Sequence, residues 1–331
     1  MTPTTKPGTI AGATLAVLVL SWSSEAIAQQ SLADQFRQAL REEAKASQQG
    51  RAFQSLSVFG ATPGVSTAIF NVDHSRPGTD LTLRTLQLPL KHELAPVADG
   101  IRPYGELTLG YGDANETADL DLAPPRQTRI DASFDSYSVL SGVGATIVFG
   151  PHLSVRPIVL AGYSRLEGDA NFKGPFAEEL KSASSGLIDE LSIDALLLGG
   201  ALQAKVAWSL DERIHFTGET RYNHFYARNF NASDSVLETS DHFGVFTART
   251  EIEGPMPLMV FGRQTRWIAF AGATYLPGDV KAALDFDYFF EVGSGIAIAD
   301  VVDGVSGLSA RASLIVGEDV IGWSAGLSLP F

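Results

Sequence analysis

From Ile321 to the carboxyl end every second residue is apolar: Ile321, Trp323, Ala325, Leu327, Leu329 and Phe331. Between them stand Gly322, Ser324, Gly326, Ser328 and Pro330. A period of two with one greasy face describes a β-strand lying between two unlike environments. The pattern recurs upstream. Leu196, Leu198, Leu202, Val206 and Trp208 alternate with Gln203 and Lys205, and Ile214, Phe216 and Tyr222 with His215, Thr217, Glu219, Arg221 and Asn223. Leu308, Ala310, Ala312, Leu314 and Val316 oppose Ser309, Arg311 and Ser313. Twelve strands are expected, at 65–72, 79–92, 101–111, 133–149, 152–166, 195–209, 213–228, 242–253, 266–276, 284–298, 307–317 and 320–331. Within 79–92 the phase changes, from odd Leu81 and Leu83 to even Leu86, Leu88 and Leu90, which predicts a bulge near Arg84. A soluble β-sandwich would alternate too, but with its apolar face inward and shorter strands.

The connections favour a closed membrane barrel. Long links at 112–132, 167–194 and 229–241 alternate with tight links at 150–151 and 210–212, the pattern of outer loops and periplasmic turns. Gly254 to Thr265 is the exception, a longer link on the turn side. Tyr111, Tyr163, Tyr275 and Trp323 fall at one end of the apolar face, and Phe149, Trp208, Trp267 and Phe331 at the other. Two aromatic girdles are what the membrane interfaces favour. The net charge is −14, with five acids against two bases in 112–132 and six against two in 167–193. The acidity therefore sits largely in connections, and it excludes nucleic acid as a partner. A short helix is expected around Phe176 to Leu187.

The amino-terminal segment is different. Lys6, the apolar run Ile10 to Leu20 and Ala26-Ile27-Ala28 have the form of a secretory signal peptide covering 1–28. No Cys follows the run, so no lipoprotein anchor is expected, and a chain with 0 Cys has neither disulfides nor a thiolate metal site. Residues 29–62 form an N-terminal helix and linker, and 63–331 the barrel. In Gln29 to Gly50, Ser31 and Asp34 resemble a capping box, and Leu32, Phe36, Ala39, Leu40 and Ala44 share one face. Arg37, Arg41, Glu42 and Lys45 hold the other face. A helix of this kind is roughly 28 Å long, close to the ~25 Å apolar band of an outer-membrane barrel.

Several residues carry candidate chemistry. Gly322-x-Ser324-x-Gly326 fits a nucleophile elbow by pattern, but no acid or His follows it, so Ser324 reads as a small lumen residue. His215, Glu219 and Arg221 share an inner face and could form a His–carboxylate base, or belong to an interior salt-bridged network. The network is the better reading. Its expected members are Glu106, Arg156, Lys205, His215, Glu219, Arg221, Arg249, Glu251, Asp285, Asp287 and Arg311, with Arg37, Arg41, Glu42 and Lys45 of the helix as partners. Asp285, Asp287 and the Asp241-His242 pair lie near the outer rim, where an Asp–His pair could activate water. Adjacent Asp241 and His242 point to opposite faces, however, and rim solvation or pairing with Arg266 is the plainer account. Asp113, Asn115, Thr117, Asp119 and Asp121 look like a calcium loop. Ala118 replaces its tight-turn Gly and the bidentate Glu is missing, so a solvated acidic loop is expected. No catalytic residue, metal or cofactor is expected.

Two stretches resemble a known family. Ala283-Leu284-Asp285-Phe286-Asp287-Tyr288-Phe289-Phe290-Glu291-Val292-Gly293 and Gly322-Trp323-Ser324-Ala325-Gly326-Leu327 are similar to the solitary autotransporter-type outer-membrane barrels. Trp323, Leu327, Leu329 and the terminal Phe331 resemble the assembly signal of bacterial outer-membrane barrels. The resemblance implies an all-β fold, a 12-stranded antiparallel barrel threaded by a helix (Leu32, Phe36, Arg37 and Arg41), without a passenger domain. Many autotransporters release their passenger by cleavage between Asn residues in the pore, and here no Asn precedes Asn71. The expected protein is a non-enzymatic, integral bacterial outer-membrane barrel, plugged or narrowly conducting, with acidic loops facing an unidentified external ligand. Its partners would be outer-membrane lipid and the barrel-assembly machinery. An open pore for small solutes and an outer-membrane hydrolase are the competing readings.

Overall fold

The computed structural model describes residues 32–47, 65–73, 79–123, 126–260, 262–277, 286–302 and 305–328. The signal-peptide segment, Leu329, Phe331 and Asp285 lie outside them, as do the side chains of Leu32 and Lys45. Twelve antiparallel strands close into a barrel in which every strand pairs with its chain neighbours and β1 pairs with β12. They are β1 (Val65–Asp73), β2 (Thr79–Glu93), β3 (Ile101–Ala123), β4 (Arg126–Phe149), β5 (Leu153–Lys173) and β6 (Leu191–Ser209). β7 (His215–Phe230), β8 (Ser240–Val260), β9 (Arg263–Tyr275), β10 (Tyr288–Val302), β11 (Val305–Gly317) and β12 (Val320–Ser328) complete it. Helix α1 (Leu32–Ser47) precedes the barrel, and α2 (Ala177–Ser184) and a 3-10 turn (Ser235–Leu237) lie between strands.

Closure removes the unpaired strand edges that an open sheet would present. At the seam, Ile69 faces Trp323 and Phe70 faces Gly322. A side chain at Gly322 would bring a Cβ within 2.1 Å of the Ile69 carbonyl oxygen, so only glycine fits. The outward face is a belt of exposed apolar side chains, among them Leu107, Val143, Val159, Leu198, Leu202, Val292, Leu314, Ile321, Trp323 and Leu327. In water such a continuous surface would drive association. In lipid it is the matched exterior of a membrane barrel. The inward face carries the polar and core residues. For orientation, the turn end is where β1 begins and β12 ends, and the loop end is the opposite one.

Three expectations fail. The registers of β1 with β2 and of β2 with β3 run without a shift, so there is no bulge at Arg84. Leu81, Leu83, Thr85 and Gln87 all point inward and are buried, while Leu86 and Leu90 are exposed. The apolar residues change parity because the loop end of the lumen is itself apolar. Segment 112–132 is strand and not loop: β3 pairs with β4 from Ile101–Ile147 up to Ala123–Arg126. Alternation continues there, with Ala114, Ala118 and Leu120 buried inside and Asp113, Asn115, Thr117 and Asp119 outside. The 24 residues of β4 span about 80 Å of strand, far more than a tilted crossing of a ~25 Å band requires. Likewise the long turn-side link at Gly254 is a hairpin, with β8 running to Val260.

Candidate functional site

The lumen is the site, and it is built from two unlike regions. At the loop end, Phe36, Leu40 and Ala44 of α1 are buried in one cluster with the inward side chains Phe70, Leu83, Phe225, Phe289 and Ile315. Their spacing of four places them on one helix face. Leu180 and Ala183 of α2, and Leu187, Ile188, Val236 and Leu237 beyond it, belong to the same cluster. The residues linking β5 to β6 and β7 to β8 thus pack against the helix.

Polar contacts fix this arrangement. Arg37 donates through Nη1 to the carbonyls of Ala183 and Ser185, both at 3.0 Å, at the negative end of the α2 dipole. Its Nη2 donates to Asp234 Oδ2 at 3.0 Å, and Arg41 Nη1 reaches the same oxygen at 3.1 Å. The Asp234 side chain is only 5% exposed. Its other oxygen, Oδ1, accepts from the Val236 N–H at 3.0 Å and caps the 3-10 turn. Ser233 Oγ donates to the Gly186 carbonyl at 2.8 Å and accepts from the Ser192 N–H at 3.0 Å, stitching the two linking segments together.

Nearer the turn end, at the waist and, at Glu291, up to the level of Ile315, the lumen is crossed by ion pairs. Arg221 of β7 donates to Glu106 of β3 through both terminal nitrogens, at 2.9 and 2.6 Å. Three strands separate β3 from β7, so this pair spans a chord of the barrel. Tyr104 adds its hydroxyl to Glu106 at 2.7 Å, and Arg156 lies 3.8 Å from the Tyr104 ring centroid. Arg156 also donates to Thr146 at 2.8 Å, Gln203 at 3.2 Å and Glu93. On the other wall Arg311 donates to Glu251 at 2.9 Å and Arg249 to Glu291 at 3.4 Å. Ser313 and Ser324 both donate to Glu291, at 2.5 and 2.8 Å. Charges held this way are desolvated and paired, as a low-dielectric interior demands.

The expected network members do not form one set. Glu106, Arg156, Arg221, Arg249, Glu251 and Arg311 lie in the pairs just described, and Glu219 faces Arg249 across β7 and β8. His215 is apart from Arg221, its Nδ1 3.1 Å from Ser209 Oγ. Lys205 follows the inward parity of Gln203 but is exposed. Arg37 and Arg41 reach Asp234 between β7 and β8, not the strand network, and Glu42 accepts from Gln38 at 3.0 Å. Asp287 is half-buried just before β10 at the loop end, whereas Arg266 pairs at 3.4 Å with Glu253 at the turn end. The expected pairing of Arg266 with the rim is therefore wrong. Asp119 accepts from Arg129 at 2.9 and 3.1 Å on an extended strand, which ends the loop reading of that segment. That bond holds the Asp119 carboxyl below its usual range, and Lys173 does the same for Asp131. Ser324 lies mid-strand without the turn or helix of a nucleophile elbow. Trp323 and Leu327 face outward. Asp234, Tyr104, Glu93 and Glu291 are the residues that sequence reasoning missed. Only Asp234 carried a signal, as a capping residue before Ser-Val-Leu.

A closed barrel with an apolar belt outside and charges inside is an outer-membrane β-barrel by class. The model of the family described as solitary outer-membrane autotransporter β-barrel domains matches residues 69–305, and the chain belongs to that family. The transport unit of the autotransporter AIDA-I from Escherichia coli superposes with a TM-score of 0.50 at 9% identity, over 86% of this chain and 99% of that one. The translocator domain of NalP from Neisseria meningitidis gives a TM-score of 0.43 at 16% identity, over 90% of this chain and 99% of the other. The β domain of the Bordetella autotransporter Brka gives 0.45 at 14%, covering 81% and 99%. No curated protein sequence matches significantly.

Proposed function

We propose that this chain is a non-enzymatic outer-membrane barrel without a passenger, whose own N-terminal helix occludes the lumen. The reading is carried by the burial of Phe36, Leu40 and Ala44 among inward side chains of the loop end. A translocating segment in transit would need a lumen wall indifferent to its sequence. Here Arg37 and Arg41 converge on one buried carboxylate instead, which suits a resident helix. The cross-lumen pair of Arg221 with Glu106 narrows the passage further. A non-catalytic role accords with Ser324 donating to Glu291, and with Asp241 and His242 on opposite faces of β8. Residues 1–28 act as the export signal, 29–62 as helix and linker, and 63–331 as the barrel, assembled by the barrel-insertion machinery into outer-membrane lipid. The outward acidic faces of β3, β4 and β5 are the surface offered to an external partner. Planar-bilayer conductance of the mature chain, with and without residues 29–50, tests the reading. Low current that rises on deletion is expected. A large current from the intact chain supports an open solute pore instead, and a current unchanged by deletion removes the helix from the account.

A further inference from the structure

One strip of the outer wall departs from the acidic character of the chain. The outward positions of β7 toward the loop end are Tyr222, His224, Tyr226 and Arg228, and those of β8 are Phe246, His242 and Ser240. None is a carboxylate, in a protein of net charge −14. The rings form a continuous cluster. His224 stacks on His242 at 5.5 Å between centroids and 13° between planes, and Tyr226 lies 5.2 Å from His242. Both imidazoles and Arg228 are exposed, and among the described residues no carboxylate pairs with Arg228. Asp194 on the neighbouring β6 is already held by Tyr163 at 2.7 Å and Asn231 at 3.2 Å.

The register places this cluster at a definite depth. Tyr222 faces Phe246, Phe246 faces Tyr275 and Tyr275 faces Tyr288, making an outward aromatic row across β7 to β10. Such rows mark the boundary between acyl chains and headgroups. On β6, Leu202 faces Tyr222 and continues the row, Leu198 faces Tyr226, and Val206 and the exposed Trp208 lie on the turn-end side. His224, Tyr226, His242 and Arg228 lie on its loop-end side, at headgroup level. There a guanidinium, imidazole N–H groups and a phenol hydroxyl lie together, with no acceptor for the guanidinium among the described residues. This is the donor set that recognises phosphate.

We infer that the wall formed by His224, Tyr226, Arg228 and His242 is a binding surface for the phosphate group of a bilayer lipid in the loop-side leaflet. The lipid's chains lie along Leu202 and Val206 while its headgroup is held above the aromatic row. Native mass spectrometry of the folded full chain, in micelles doped with lipid A or with an uncharged glycosyl diacylglycerol, tests this. The phosphorylated lipid should bind preferentially, and His224→Gln/Arg228→Gln/His242→Gln should reduce that preference about tenfold, the worth of one charge-assisted bond. Arg84→Gln, on the outward face of β2, should leave it intact, and heat-modifiable gel mobility confirms that each variant is folded. A preference surviving in the triple variant overturns the proposal. So does stabilisation by inorganic phosphate equal to that by the lipid, because the site would then serve a free anion.

Discussion

At the loop end of the barrel the inward side chains are Phe70, Leu83, Phe225 and Phe289, with a helix face among them. Nearer the turn end and at the waist they are Glu106, Arg156, Arg221, Arg249 and Arg311. The two regions face the same need, to fill a lumen wider than the side chains of one strand can span. An eight-stranded barrel fills itself, but twelve strands leave space. On the proposed reading the loop end fills it with an apolar body, the helix, recruited from elsewhere in the chain. The other region fills it with long charged side chains that reach across to distant strands. Apolar packing is non-directional and tolerates a separable element, whereas a buried ion pair fixes particular strands at particular distances. The charged region therefore belongs to the barrel's shape and the apolar one to its state of occupancy.

Substitutions can break or sharpen that contrast. The largest effect is expected from Glu106→Ala, which leaves Arg221 unpaired with only 14% of its side chain exposed. A loss of about 3 kcal/mol should appear in unfolding from detergent micelles, and Glu106→Leu/Arg221→Leu should recover much of it. Phe36→Ala/Leu40→Ala comes next. Each truncation removes ~2–3 kcal/mol of burial from the helix, yet barrel unfolding should hardly move while conductance rises. A barrel that melts earlier instead would merge the two regions into one cooperative unit. Asp234→Ala should weaken the helix by about 2 kcal/mol, through a lost cap and two lost guanidinium contacts, with both arginines free to hydrate.

The smallest effect belongs to the outer ladder. Asp119 and Asp131 have depressed carboxyl pKa values, held by Arg129 and Lys173 respectively. Depressed folded values mean that their contribution is present above the unfolded carboxylate range. It fades as pH falls through the folded values. Stability should thus be flat from neutrality down to about pH 5 and decline only below the ordinary Asp range near 4. Asp119→Asn should change the midpoint at pH 7 very little, since such exposed pairs contribute under ~1 kcal/mol. An unfolding titration from pH 7 to pH 3 checks both.

The strands were legible because their lipid face is apolar at every second position whatever lies inside. β6, β7 and β11 show it directly. The loop end of β3 and β4 was hidden because its outer face meets water, so Asp113, Asp119 and Asp131 gave the composition of a loop. The parity of Ala114, Ala118 and Ile130 was the better guide, and it ran on to the hairpin. In β2 the same principle misled in the other direction: Leu81 and Leu83 face a filled lumen, so apolar residues stand on both sides and mimic a bulge. Long-range partners were not readable at all. Nothing in the spacing of Arg37 and Arg41 names Asp234, because their meeting depends on a segment 193 to 197 residues later.

The proposed occlusion requires the apolar face of α1 to be buried inside the loop end of the barrel. The chain has 0 cysteines, so a single introduced thiol reports its own surroundings. Gln38 is exposed on α1 and Leu40 is 5% exposed. In the folded protein Gln38→Cys should react readily with a membrane-impermeant maleimide. Leu40→Cys should react at least ~10-fold more slowly, as expected for a site reached only by local opening. Equal rates at the two positions would place the helix outside the lumen and contradict the account.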